Sequence, residues 1–152
     1  MAQAAAPTLE ESLSWLDALE AAPAAHASGA WPLASVLDHL AQGVEMSLDG
    51  FPQSRSALLR LTLGRAVFAL FKRKGRMQHG LDAAIPGAPP LRTGDDWRPA
   101  AQRLRTAITR FQQHQGALQP HFAYGALSKD DFALAHAMHI ANHRDEITVQ
   151  GR

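Results

Sequence analysis

The chain has no cysteine among its 152 residues, which excludes disulfides, thiolate metal ligands and a cysteine nucleophile. It also lacks an excess of either charge: the formal net charge is +1, so no strong field would attract nucleic acid or an acidic membrane. Its most apolar stretch, residues 58–71, is too short to cross a bilayer and contains Arg60 and Arg65. We therefore expect neither nucleic acid nor a membrane as a partner, and a cytoplasmic location.

Several motifs with a defined chemistry are missing as well. The sequence contains no glycine-rich phosphate loop, no G-x-S-x-G and no HExxH. The Ala-rich segment 1–7 lacks the charged start and the apolar core of a signal peptide, and we expect it to be disordered. With 46% hydrophobic and 19% charged residues, the composition is that of a globular protein, and we expect a single helical-bundle domain over residues 1–152.

The spacing of apolar residues predicts five helices and no strand. The third helix is apolar on more than one face, so we expect it to be the most buried. The long loop 76–96 is rich in proline and glycine, and its apolar residues indicate that it packs against the helices. The predicted helices are Leu9–Ala21, Pro32–Leu48, Ser56–Lys74, Trp97–Gln115 and Ser128–Val149.

Histidine is the unusual component, because three of the 8 histidines fall in the last predicted helix. At about 100° per residue, His136, His139 and His143 share the face that Phe132 and Ile147 mark as buried. A buried imidazole without a partner costs about 1–3 kcal/mol, so three on one stripe are hard to explain by packing alone. His139 and His143 are one turn apart and can converge on one metal ion.

A third ligand would have to come from another part of the chain. His39 is the best candidate, because it lies on the flank of the apolar stripe of the second predicted helix. The plainer alternatives remain open at this point. An HxxxH pair also occurs on helix surfaces and in hydrogen-bonded cores, and His39 taken alone equally fits a hydrogen-bonded core histidine.

Two segments resemble the DinB/YfiT superfamily. Trp31–Leu40 resembles its histidine segment in the second helix, and His139–Arg144 resembles its HxxxH followed by arginine in the last helix. Further segments look like a bacterial DinB-like branch of unknown function: Gly50–Pro52, Gly75–His79, Ile85–Pro89 and His121–Gly125. The resemblance covers nearly the whole chain.

The resemblance implies an all-α, up-and-down four-helix bundle with an additional short helix. It also implies a three-histidine metal site between the second and last long helices, with His39, His139 and His143 in the ligand positions. Some relatives carry out metal-dependent thiol transfer or isomerisation, whereas the branch itself has no assigned reaction. Catalytic residues therefore stay unassigned.

Five further residues are expected near this site. His136 matches no ligand position and is expected to support a ligand or face a substrate. Glu146 is expected on the same helical face as His143, where it would orient an imidazole or act as a fourth ligand, unless it is a surface carboxylate. His79 lies on the loop 76–96, and His121 and Tyr124 lie on a second predicted loop, residues 116–127. One of the three is expected at the site mouth; the alternative is that they only pin the loops.

Three neutral imidazoles would leave a bound ion with its full charge and an open position. All-nitrogen ligation suits a divalent transition metal, with zinc or nickel expected before iron or copper. We expect a metal-dependent transferase that uses an external low-molecular-weight thiol, or a hydrolase, acting on a small-molecule substrate. The sequence leaves open whether the chain forms a homodimer. The alternatives are a non-catalytic, stress-related bundle that binds a metal or ligand, and a structural bundle whose histidines bond to one another.

Overall fold

The computed structural model describes residues 5–151 and shows five helices and one two-stranded sheet in that range. Of the residues 1–7 that were predicted to be disordered, residues 1–4 lie outside the described residues. The third helix has three consecutive parts, Ala57–Leu59, a π-helical Arg60–Gly64 and Arg65–Lys74. In chain order the elements are α1 (Leu9–Ala21), β1 (Ala24–Ala27), α2 (Leu33–Asp49), α3 (residues 57–74), α4 (Arg98–Gln113), α5 (Lys129–Arg144) and β2 (Ile147–Gln150).

Short side chains fix where the helices begin and end. At the start of α1, the Glu11 N–H donates to Oγ1 of Thr8 at 3.1 Å, and the Thr8 N–H donates to Oε2 of Glu11 at 3.0 Å. Ser128 caps α5 in the same way by accepting the N–H of Asp131. The third helix ends at Gly75, whose φ of 66° is a left-handed conformation that favours glycine.

The main core lies among α1, α2, α4 and α5. Helices α1 and α2 each pack against both α4 and α5. Leu37 of α2, Leu104 of α4 and Phe132 of α5 are fully buried in this core. Helix α2 is buried on nearly all sides, so it is the central element on which the other helices and the long loop pack.

The prediction that α3 would be the most buried helix is wrong. Phe68 is its single buried residue, whereas Leu58 and Leu61 are 72% and 60% exposed. The reason is that the regular apolar stripe of α3 borders a cavity and does not fill the core. The four side chains of that stripe, each one turn from the next, are Leu59, Leu63, Val67 and Phe71.

The predicted absence of strands is also wrong, and the last helix ends at Arg144 and not at Val149. β1 pairs with β2 in antiparallel fashion, with Ala24 opposite Gln150 and Ala27 opposite Ile147. The segment 147–149 is Ile-Thr-Val, whose branched β-carbons favour an extended strand over a helix. The fold is therefore mostly helical with a small sheet, and not all-α.

Candidate metal centre and adjoining pocket

Three imidazoles converge between α2 and α5. His39 lies on α2, and His139 and His143 lie one turn apart on α5. Each ring can offer one nitrogen such that the three nitrogens lie within 4.8 Å of one another, and Nε2 of His39 is 3.1 Å from Nε2 of His139. His39 and His143 are 2% and 0% exposed. The three residues that the sequence marked as ligands are thus brought together.

The arrangement fits a transition-metal ion. Imidazole nitrogens about 2.0–2.1 Å from a tetrahedral zinc ion are separated by roughly 3.3 Å, which is close to the His39–His139 separation. Nε2 of His143 and Nδ1 of His39 are buried and have no hydrogen-bond partner among the described residues. Buried polar atoms nearly always have a partner, and a cation bound among the three imidazoles would supply one for Nε2 of His143.

Glu146 fixes the orientation of the His143 ring. Nδ1–H of His143 donates to Oε1 of Glu146 at 3.1 Å, which leaves Nε2 with a free lone pair. Glu146 is buried, so it is not a surface carboxylate, and it lies in the turn after α5 and not on the helical face of His143. A carboxylate behind a ligating imidazole is the usual support of a metal site, because it sets the tautomer and raises the basicity of the ring.

The Glu146 carboxylate reaches this position because residue 29 has no side chain. A Cβ at Gly29 would lie 2.3 Å from Oε2 of Glu146. A backbone hydrogen bond also holds these two segments together, because the N–H of Ser28 donates to the Glu146 carbonyl at 2.8 Å. Nothing in the sequence pattern marks Gly29, because its role arises only when β1 and β2 pair.

The three imidazoles are held in the neutral form that a metal requires. Burial, followed by the neighbouring His143 and His79, lowers the pKa of His39 to about 3. Burial and the surrounding imidazoles also hold the pKa of His139 well below its ordinary value. For His143, burial lowers the pKa and outweighs the hydrogen bond to Glu146, which acts in the opposite direction. At neutral pH no proton competes with an ion for these nitrogens.

A pocket of about 530 Å³ opens beside the imidazoles, a volume typical of small-molecule sites. His39 and His139 lie in its wall, together with the α3 stripe defined above. A Cβ at Gly43, one turn after His39 on α2, would lie 3.6 Å from Nδ1 of His139, so the backbone of α2 approaches this ring closely. The pocket is mostly apolar, which suits a ligand with an apolar body and one polar group.

His121 and Tyr124 line the same pocket on a tight turn. The backbones of His121 and Gly125 exchange two hydrogen bonds, and Nδ1 of His121 accepts the N–H groups of Ala123 and Tyr124 at 3.1 and 3.2 Å. Nε2 of His121 therefore carries the proton and can donate a hydrogen bond. Burial lowers the pKa of His121 to about 3 and raises that of Tyr124 to about 12, so His121 is neutral and has no additional proton to transfer.

His136 lies in the pocket wall, but its polar contact is with α2. The Ser47 hydroxyl donates to the Val44 carbonyl at 2.6 Å, so it accepts Nε2–H of His136 at 3.0 Å. The ring packs against Phe111 and Phe132. Burial lowers the pKa of His136 to about 3. These contacts are those of a buried core histidine whose ring N–H has a hydrogen-bond partner.

His79 is the loop residue that reaches the imidazole cluster. It lies between α3 and α4, and its ring centroid is 4.9 Å from that of His139 and 5.6 Å from that of His143. Trp31 also contacts the cluster, because its ring packs edge-on against His39 at 5.2 Å. The position of Trp31 in the sequence does not mark it as a site residue, since a tryptophan near a helix start is equally suited to the core.

No helix within residues 5–151 combines the length and the apolar character that crossing a membrane requires. Among known families, a family model described as a protein of unknown function (DUF1569) matches residues 3–150. That family is grouped with the DinB-like families. No curated protein matches the chain, and no solved structure does.

Proposed function

We propose that this chain, which belongs to the DUF1569 family, binds one divalent transition-metal ion through His39, His139 and His143 and acts on a small molecule in the adjoining pocket. We further propose one DinB-like domain built as an up-and-down four-helix bundle. Two facts support a bundle of four helices. Each of α1 and α2 packs on both α4 and α5, which closes a ring of four helices, and the family is grouped with the DinB-like families.

The observation that carries the proposal is the convergence of three buried, neutral imidazoles at the wall of an apolar pocket. A structural site would be closed by a fourth strong ligand, whereas three histidines leave a position for water or substrate. An ion in this set would supply a Lewis acid and a binding point for a thiolate or oxygen atom of the ligand. Zinc or nickel is the first expectation, and iron or copper also suits nitrogen ligands.

The reaction class we favour is a thiol-dependent transfer or a hydrolysis. The chain contains no cysteine, so a thiol would have to enter as an external small molecule. The apolar wall would hold the body of the substrate and exclude water from it. Nε2–H of His121 is positioned to donate a hydrogen bond to a polar atom of a ligand in the same pocket.

A second candidate is a non-catalytic bundle that binds a metal or a ligand, for example in a stress response. One observation favours it: no aspartate or glutamate among the described residues lines the pocket, so no carboxylate base faces a substrate there. Both candidates bind the metal at the same site, but only the first converts a substrate. Assays of the metal-loaded protein with small thiols and electrophiles, and with ester and amide substrates, separate them.

The metal site itself is tested by metal content. Untagged protein purified from metal-replete growth is expected to contain about one transition-metal ion per chain. His39→Ala, His139→Ala and His143→Ala should each lose most of it, because two imidazoles held on the helices bind far more weakly than three. His114→Ala is the matched control, since the His114 ring bonds only to the Ala117 carbonyl and lies outside the pocket.

The proposal fails if metal analysis by mass spectrometry finds the wild-type protein free of metal after such growth. It also fails if the three variants retain as much metal as His114→Ala does.

A further inference from the structure

The loop histidine His79 lies beside two members of the triad, His139 and His143. The ring centroids of the triad are 4.9 Å apart for His39 and His139, 5.1 Å for His39 and His143, and 5.0 Å for His139 and His143. The His79 ring is 4.9 Å from His139 and 5.6 Å from His143. His79 therefore borders the cluster from the pocket side. Its nitrogens lie outside the group of three that converge within 4.8 Å, so the ring would have to move toward them to bind the same ion.

The hydrogen bond of His79 occupies Nδ1 and leaves Nε2 free to bind a metal ion. Nδ1–H donates to the carbonyl of Gly80 at 2.8 Å, because a carbonyl can only accept. In the neutral ring, Nε2 then carries a lone pair and no proton. Ligating histidines almost always donate the other ring N–H to a carbonyl or a carboxylate, as His143 does to Glu146.

The segment that carries His79 differs from the helices that carry the triad. Buried Met77 and Ile85 anchor its two ends, while Asp82, Ala83 and Ala84 between them are exposed. His79 itself is only partly buried and lines the pocket through which a ligand would enter. A side chain in this position can move away without disturbing the helix packing.

We infer that His79 is a fourth, exchangeable metal ligand, which closes the site in the absence of substrate and is displaced by a ligand arriving through the pocket. This inference rests on the proposed function, since it requires the His39–His139–His143 site. Its consequence is that His79 tightens metal binding and weakens the binding of small exogenous ligands. The class of ligand that would displace it is a small anion or thiolate with one strong donor atom.

Cobalt-substituted protein provides the test, with azide as the exogenous ligand. His79→Ala should still bind one cobalt per chain, with a changed visible absorption spectrum and with at least fivefold tighter azide binding, because azide no longer competes with the imidazole. Added imidazole should return the spectrum of His79→Ala toward that of the wild type. Gln78→Ala is the matched control, since Gln78 is adjacent on the same segment and lines the same pocket.

The inference is overturned if His79→Ala and the wild type show the same cobalt spectrum and the same azide affinity. In that result both proteins still bind cobalt, so the three-histidine site would stand and only the fourth ligand would be lost. If the wild type binds no cobalt, the proposed function and this inference fail together.

Discussion

At the scale of single residues, the tautomers of the site histidines follow from the partners of their second nitrogens. The Glu146 carboxylate accepts a hydrogen bond from Nδ1–H of His143, the Gly80 carbonyl accepts one from Nδ1–H of His79, and the Ser47 hydroxyl accepts one from Nε2–H of His136. His121 has the reverse arrangement, because two backbone N–H groups occupy its Nδ1. The direction in which each imidazole can bind or donate is therefore set by neighbouring groups.

His136 predicts a pH dependence of stability. Burial lowers its pKa from 6.5 to about 3, so the unfolded chain takes up the proton first as pH falls. The stability that this residue contributes is complete above pH 6.5 and is lost as pH falls from there toward 3. At pH 5 the loss is about 2 kcal/mol for one such group. His136→Gln, which keeps an N–H for Ser47 but does not titrate, should lose correspondingly less stability between pH 7 and 5.

The measurement is urea unfolding of both proteins at each pH, with a chelator present so that metal release does not contribute. Equal losses of unfolding free energy in the wild type and His136→Gln would show that this histidine is not held neutral in the folded protein.

The sequence predicted some site residues and not others, for physical reasons. His139 and His143 were predictable because a helix has a fixed period, so a spacing of four places both rings on one face. His39 was predictable because it lies on the flank of the apolar stripe of the second helix. Glu146 was expected beside His143 from its spacing, but its place in the turn after α5 and its contact with Gly29 were not predictable. That contact joins segments more than 100 residues apart, which no local pattern encodes.

At the scale of elements, the π-helical part of α3 brings this helix against the turn at residues 121–125. A Cβ on Gly64 would lie 1.9 Å from the carbonyl oxygen of Ala123, which is backbone and cannot rotate away. Glycine at this position therefore sets the distance between α3 and the turn that carries His121 and Tyr124. The shape of the pocket depends on that distance, since both elements line it.

Gly64→Ala should destabilise the protein although alanine is the better helix former. Helix propensity alone would stabilise the variant by about 0.8–1 kcal/mol, whereas forcing apart two packed elements costs about 1–3 kcal/mol. We expect a net loss of stability in urea unfolding. The matched control is Gly43→Ala in α2, where the added Cβ would meet the His139 ring at an ordinary 3.6 Å, and which should unfold no earlier than the wild type when metal-free. A Gly64→Ala protein as stable as Gly43→Ala would contradict the close approach.

The helices were predictable because caps and apolar periods are local signals, as at Thr8 and Ser128. The two strands were not. β1 is Ala-Ala-His-Ala, a composition with low β-propensity, and it becomes a strand only because the last residues of the chain pair with it. The placement of α3 also escaped prediction, because an apolar stripe has the same appearance whether it faces a core or a cavity.

At the scale of the whole molecule, α2 contacts the core, the proposed metal site and the long loop. Its buried Asp38 accepts the N–H of Arg92 at 2.9 Å and a guanidinium N–H of Arg103 at 2.8 Å. Ser35 and Gln42 on the same face donate to the carbonyls of Arg92 and Pro89. The second half of the loop is thus fixed to the helix that carries His39, while the segment around His79 extends to the pocket.

The most direct test of this account is X-ray absorption spectroscopy at the zinc edge of zinc-loaded, desalted wild-type protein. The account predicts only nitrogen or oxygen neighbours at about 2.0–2.1 Å, with the outer-shell scattering of at least three imidazole rings, and of one ring fewer in His79→Ala than in the wild type. Zinc that is lost on desalting, or retained zinc with no more than one imidazole in its first shell, would contradict the three-histidine site.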